Sequence, residues 1–226
     1  MLSGKKVLVT AGGTTEYIDE VRVMTNTSTG TTGAVIATEL CKAGAEVHFL
    51  HGINSRLPGG SAKRYPVMSA KEACLRMELI VRTAKIDAVV HAMAVSDFTF
   101  DRKSEVKCKS SDPEAFIEYM RQTICMNPKI ISQVKLWRPE TVLIGFKYEV
   151  GLTAEALREL AVKSINSNGC DLVIANDKKT IDRYCTHVAA FIYSEKCRNS
   201  GFADKVVHGN DHIAEDIVQF LESYLK

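Results

Sequence analysis

Three stretches of the chain carry residue types and spacings suited to chemistry on a phosphorylated ligand. The first is Gly12-Gly13-Thr14, continuing through Arg22 and Asn26 to Ser28-Thr29-Gly30-Thr31-Thr32-Gly33. Glycine lets backbone N–H groups approach a phosphate with no Cβ in the way. A helix starting near Gly30 adds partial positive charge, and Arg22 offers a bidentate anion clamp. The second is His91-Ala92-Met93-Ala94-Val95-Ser96-Asp97, an apolar run ending in one carboxylate. Asp97 suits Mg²⁺ held against a triphosphate, because hard cations favour carboxylate oxygen. The third is Gly145-Phe146-Lys147, with Lys163 and Asn176-Asp177 downstream; Phe146 can stack on a base or close the core. Lys103, Lys107 and Lys109 form a basic set that can close over a negative reaction centre. Each stretch has a plain structural alternative: a Gly/Ser/Thr-rich turn, a cap at Asp97, a turn at Asn176-Asp177, a solvated charge run.

The elements that must position these residues follow from hydrophobic periodicity. Residues 5–11 read as a buried strand, 14–28 as a long polar loop, 30–43 as a helix stopped by Gly44, and 46–50 as a second strand. Together they make a βαβ unit of a parallel sheet. The alternation continues with a strand at 62–67 and an amphipathic helix at 70–84 that turns Ala73, Met77, Ile80 and Val81 to one side. A strand at 87–92, a helix around 128–136, a strand at 141–146, a helix at 154–167 and a strand at 171–175 follow. Antiparallel edge strands at 187–194 and 205–208 and a helix at 211–225 close the chain. The polar, basic stretch from about 98 to 126 breaks this rhythm and reads as an inserted flap over the sheet edge. The expected fold is α/β: Rossmann-like, three-layered, with a mainly parallel central sheet, antiparallel C-terminal edge strands and an inserted flap. Ligands of such sheets sit at the C-terminal ends of the strands, where all three stretches fall.

At 226 residues the chain reads as a single domain, 1–226, large enough to bury its core without staples. The hydrophobic share of 46% and charged share of 25% are those of an ordinary globular protein, and the net charge of +2 favours neither a nucleic-acid nor a membrane partner. Seven scattered cysteines without a CxxC pair suggest no disulfide framework and no zinc site; Cys108, between the flap lysines, reads as a small half-buried side chain. No run approaches the roughly 20 apolar residues of a membrane span, and the expected location is cytoplasmic. A dinucleotide oxidoreductase fits poorly. The acidic residue expected after the second strand is missing, since that strand ends in Leu50-His51-Gly52, and Tyr119 is followed at the lysine position of a Tyr-x-x-x-Lys pair by Thr123. A non-catalytic nucleotide-binding module is the other rival.

The ordered set VLVTAGGTTEYIDEVRVMTNTSTGTTG, HAMAVSDF, KCK, NPKII, GFK and DLVIAND resembles the phosphopantothenate–cysteine ligase (phosphopantothenoylcysteine synthetase) family, in its stand-alone bacterial form. The resemblance runs over nearly the whole chain. It implies a ligase of coenzyme A biosynthesis that joins 4′-phosphopantothenate to L-cysteine through an acyl-nucleotide. Mg²⁺ and CTP are the implied cofactor and co-substrate, with ATP the alternative, and the implied assembly is a homodimer. It further implies that Gly12, Gly13, Thr14, Arg22, Ser28 and Gly30 hold phosphopantothenate and that Asn26 hydrogen-bonds the reacting acyl group. Lys107 becomes the working flap lysine, with Lys109 the alternative. His91, Ala92, Met93, Asp97, Pro128, Lys129, Ile130, Ile131 and Phe146 would contact nucleotide, with Asp97 also on the metal. Lys163 stands for the first of two helix lysines usual in the family; Ser167 or Asn168 occupies the place of the second.

Overall fold

The structure is a computed structural model and describes residues 1–226 except Val106, Cys108, Ser110 and Cys185. The reading of Cys108 therefore lies outside the described residues. In chain order the first elements are β1 (Lys6–Ala11), β2 (Thr15–Tyr17), β3 (Val23–Thr25), α1 (Thr31–Lys42), β4 (Glu46–Gly52), β5 (Lys63–Val67), α2 (Ala70–Ala84) and β6 (Ala88–His91). Then come β7 (Phe98–Phe100), α3 (Pro113–Thr123), β8 (Ile124–Met126), a 3₁₀ turn (Ile130–Gln133), α4 (Val134–Trp137), β9 (Val142–Glu149) and α5 (Ala154–Asn168). The chain ends with β10 (Leu172–Asp177), α6 (Lys178–Tyr184), β11 (Val188–Tyr193), α7 (Glu195–Asn199), β12 (Lys205–His208) and α8 (Asn210–Tyr224).

The eight-stranded sheet runs β12-β11-β10-β9-β6-β1-β4-β5. The six strands from β10 to β5 are parallel; β11 and β12 are antiparallel, as the edge-strand expectation required. Parallel strands covered on both faces read as continuous apolar runs, and β1, β6 and β10 do so over most of their length because alternate residues enter opposite cores. Val7, Val9, Ile144, Ile174 and Phe191 face α1 and α8, whereas Leu8, Leu50, Leu143 and Val173 face α2, α4 and α5. Pro66 in β5 is tolerated because β5 is the sheet's edge. The chain reverses direction across the sheet between β1 and β6, the switch point at which such sheets open a crevice.

Four expectations need correction. The 14–28 loop contains a hairpin, β2 paired with β3, whose turn is held by Asp19: its Oδ1 accepts from the N–H of Val21 at 2.8 Å and of Arg22 at 2.7 Å. The 128–136 helix is a 3₁₀ turn followed by one turn of α-helix. β9 and β10 run three and two residues further than expected, to Glu149 and Asp177, because Tyr148 pairs with Asn176 and Glu149 with Asp177. Helices α6 and α7 were not anticipated. Among its described residues the flap has structure of its own: β7 pairs with β8, and Asp112 caps α3 by accepting from the N–H of Ala115 at 3.0 Å. Tyr119 of α3 places its hydroxyl 2.9 Å from the carbonyl of Ile18 and 2.8 Å from that of Arg102, tying flap to hairpin.

Gly52 closes β4 against the loop after β1. A Cβ there would sit 2.2 Å from the carbonyl oxygen of Gly13. That contact is backbone, so it cannot be relieved by a rotamer change. Gly52→Ala is expected to cost about 3 kcal/mol, the upper end for overpacking, measurable as a lowered denaturant midpoint at unchanged slope. A loss under about 0.5 kcal/mol would mean that the two loops part freely.

Candidate active site

The C-terminal ends of β6, β9 and β10 and the N-terminus of α1 enclose a cleft of about 760 Å³, within the range of small-molecule sites. Its construction starts with the loops. The carbonyl of Gly12 accepts from the N–H of Ala94 at 2.8 Å, the carbonyl of Ala94 accepts from the N–H of Thr14 at 3.2 Å, and Thr14 Oγ1 accepts from the N–H of Ser96 at 2.9 Å. The exits of β1 and β6 are thereby zipped together. Asn26 adds the last tie, donating from Nδ2 to the Ala94 carbonyl at 3.0 Å. Gly30 then starts α1 in the left-handed region at φ 71°, where a Cβ would meet Ser55 Oγ at 1.9 Å. Only glycine fits there, and it leaves the first turn of α1 facing the cleft.

Of the residues singled out in the sequence, Asn26, Ser28, Gly30, His91, Ala92, Met93, Asp97, Pro128, Lys129, Ile130, Ile131 and Phe146 line the cleft. Six do not. Gly12, Gly13 and Thr14 lie in the zipped loop structure outside the lining; Thr14 is fully buried. Arg22 is drawn away: its Nη1 lies 3.2 Å from Asp19 Oδ2 and its guanidinium stacks 5.5 Å from the Phe116 ring centroid. Lys163 is exposed on the outer side of α5; one helical step on, Ser164 faces the cleft, as does Asn168 a turn later. Lys107 and Lys109 are exposed and outside the lining, and Lys103 is paired with Glu20 at 2.6 Å.

In the cleft Asn176 and Thr32, both singled out in the sequence, meet His187 and Asn210, which the sequence reading passed over. Asn176, at the buried end of β10, donates from Nδ2 to His187 Nε2. His187 Nδ1 faces Thr32 Oγ1 at 3.3 Å, and Thr32 donates to Asn210 Oδ1 at 2.9 Å. This chain joins the first turns of α1 and α8 to the sheet edge. Asn127 anchors the other rim: its N–H donates to the Asp97 carbonyl at 2.8 Å and its Nδ2 to the Ser96 carbonyl at 3.0 Å. Asp97 is exposed at the cleft wall, and its carboxylate can give a hard cation one oxygen ligand while phosphate oxygens supply others. Among the described residues no cluster of three acidic, His or Cys side chains forms a self-sufficient metal cage.

His91 is buried, and burial lowers its pKa to about 4. Above pH 6.5 it is neutral in the folded and unfolded chain alike; between pH 6.5 and 4 only the unfolded chain takes up the proton. The folded state therefore loses stability as pH falls through that window, by about 3 kcal/mol from this group alone. Burial lowers His187 and His48 too, in the same sense. Ring resonances of His91 should stay unshifted in NMR titration from pH 8 to 5; a midpoint near 6.5 would refute the assignment.

Residues 2–221 match the family model described as DNA/pantothenate metabolism flavoprotein C-terminal domain. The chain belongs to that family. A bifunctional coenzyme A biosynthesis protein CoaBC of Thermococcus kodakarensis is 42% identical over 178 residues, 79% of this chain and 42% of that protein. The chain thus spans less than half the length of this curated relative. A crystal structure of a DNA/pantothenate metabolism flavoprotein from Streptococcus pneumoniae superposes with a TM-score of 0.84 at 30% identity, covering 98% of this chain and all of that one. The fold is also that of the Cab2 H337A mutant in complex with phosphopantothenate-cysteine: TM-score 0.75, 18% identity, 98% of this chain and 88% of that one. The family resemblance read from the motifs and the expected Rossmann-like fold are both borne out. Among the described residues no helix of this family member is long and apolar enough to cross a membrane.

Proposed function

We propose that the chain is a phosphopantothenate–cysteine ligase of coenzyme A biosynthesis, using CTP in preference to ATP. One observation carries the reading: a single cleft collects Asn26, the α1 N-terminus, the Met93–Asp97 loop, the Pro128–Ile131 wall and Phe146 from distant parts of the chain. The relatives' names, and the ligand of the Cab2 complex, support the substrate class.

In the proposed first step a carboxylate oxygen of 4′-phosphopantothenate attacks the α-phosphorus of the nucleotide. The bond to the β-phosphate breaks, pyrophosphate leaves and an acyl-nucleotide forms. The cysteine amine then attacks the acyl carbon, the carbon–oxygen bond breaks, the nucleoside monophosphate leaves and the amine gives up a proton. The α1 N-terminus presents backbone N–H groups to anionic oxygens. Asn26 donates to the carbonyl oxygen as it gains charge. Phe146 and Ile131 flank the base, and the flap limits water at the reactive anhydride, with Lys107 as its cation. Mg²⁺, for which Asp97 provides an oxygen ligand, masks phosphate charge when bound.

A homodimer forms part of the proposal. Val21, Val23, Phe98, Ile117 and Met126 leave apolar surface exposed on the adjoining hairpin and flap, and pairing that face across a two-fold axis would cover it. The deciding experiment follows pyrophosphate release with 4′-phosphopantothenate and Mg²⁺, comparing CTP with ATP, with and without cysteine. Release that depends on phosphopantothenate, with the amide formed only when cysteine is added, is expected. Folded protein that releases none with either nucleotide is not this ligase.

A further inference from the structure

His91 and Thr10 sit side by side on β6 and β1, on the face of the sheet that carries α2. Thr10 is fully buried, and its Oγ1 accepts from the N–H of Met93 at 3.2 Å. The same Oγ1 lies 2.9 Å from His91 Nδ1. A buried hydroxyl has one proton to place, and Nδ1 is the acceptor within reach among the described residues. Thr10 therefore donates to Nδ1, and the ring proton is left on Nε2. His91 is 8% exposed and lines the cleft, and Nε2 has no hydrogen-bond partner among the described residues. On the other side of His91 the register places Gly145, and the room its missing side chain leaves is taken by Ile131 and Cys170, where a Cβ would come within 2.9 Å and 3.2 Å of them.

We propose that His91 is a neutral hydrogen-bond donor into the cleft, locked as the Nε2–H tautomer by Thr10, and that it takes an acceptor atom of the bound nucleotide. This rests on the nucleotide-binding reading above. Thr10 is then a positioning residue: it touches no ligand, but fixes both the ring's tautomer and the backbone of Met93 in the cleft wall. Burial keeps the imidazole uncharged across the working pH range, so the contact discriminates by geometry rather than by charge. The acceptor is a base or sugar atom or a phosphate oxygen, and these separate by ligand.

The tautomer is tested without ligand. Long-range ¹H–¹⁵N spectra of the full chain should show His91 protonated at Nε2, and a proton on Nδ1 overturns the proposal whatever binds. Calorimetry then compares CTP, cytidine and inorganic tripolyphosphate on wild type, His91→Ala, Thr10→Val and Thr10→Ser. A nearly isosteric Val removes the hydroxyl, whereas Ser retains it. His91→Ala and Thr10→Val should each weaken CTP binding about tenfold, the value of one hydrogen bond of about 1.4 kcal/mol, and Thr10→Ser should restore it. A loss shared with cytidine places the acceptor on base or sugar; a loss shared with tripolyphosphate places it on phosphate. Undiminished CTP binding in His91→Ala, or a Ser variant as weak as Val, overturns the inference. Wild type that binds neither CTP nor ATP instead defeats the nucleotide reading, while the spectra still decide the tautomer.

Discussion

Asn26→Ala is expected to lower amide synthesis about a hundredfold and Asn26→Asp about a thousandfold, the range found when one donor to a developing oxyanion is removed. The amide has two N–H groups on Nδ2. One is spent on the Ala94 carbonyl at 3.0 Å, which fixes the side chain at the cleft rim. The other is free to meet an acyl oxygen as it becomes an oxyanion. Alanine removes the donor and leaves the oxyanion to water. Aspartate is worse, because a carboxylate faces the Ala94 carbonyl and also repels the charge that builds up on the substrate. Asn26 is exposed, so either change should move the melting temperature little. The measurement is turnover under saturating substrates beside a thermal melt of each variant. Turnover within a few-fold of wild type in Asn26→Ala, with the melt unchanged, would falsify the donor role. An Asp variant more active than Ala would leave the amide but contradict the charge argument.

The layers of this fold were legible because burial on two faces leaves a strong mark. β1, β6 and β10 read as apolar runs, and α2 falls from Ala70 to Ala84 with Ala73, Met77, Ile80 and Val81 buried, as expected. What escaped were elements that add little to the two cores. Helix α3 carries Phe116, Ile117 and Met120 at helical spacing and an Asp112-Pro113 start, but it buries only Thr123 among its described side chains and lies in the stretch read whole as a flap. The hairpin strands span three residues each and depend on an Asp19 turn. In the site, the motif residues on strand ends and at the α1 start reached the cleft because topology sends them there. Arg22 did not, because Asp19 three residues earlier captures it. Lys163 misses by helical phase, since one residue is about 100° of rotation. His187 and Asn210 could not be read locally at all: they reach Asn176 and Thr32 through β11 and α8, and an Asn at a helix start reads first as a cap.

Glu16→Ala is expected to cost about 4 kcal/mol and to loosen the flap, while Glu16→Gln costs about 1 kcal/mol. Glu16 lies on β2 with 4% of its surface exposed. Its Oε1 accepts from the N–H of Ala70, the first residue of α2, at 2.7 Å, and its Oε2 accepts from Thr99 Oγ1 on β7 at 2.7 Å. One side chain thus joins hairpin, sheet-packed helix and flap. Alanine strands a buried N–H and a hydroxyl, each at about 1–3 kcal/mol. Glutamine keeps the N–H satisfied through its carbonyl oxygen, and Thr99 can rotate to accept from the amide, so most of the clamp survives. Denaturant unfolding gives the two costs. Hydrogen exchange locates them: amides of β7 and β8 should exchange faster in the Ala variant, whereas those of β1 and β4 follow only the global loss. A cost below 1 kcal/mol for Ala, or exchange that rises uniformly, would show that the flap is held by Tyr119 and the β7–β8 pairing instead. The difference matters to the proposed function, in which the flap limits water at the anhydride and supplies Lys107 as its cation. If Glu16 is the clamp, loss of turnover in Glu16→Ala should exceed loss of nucleotide affinity, since the anhydride is then exposed to water after it forms.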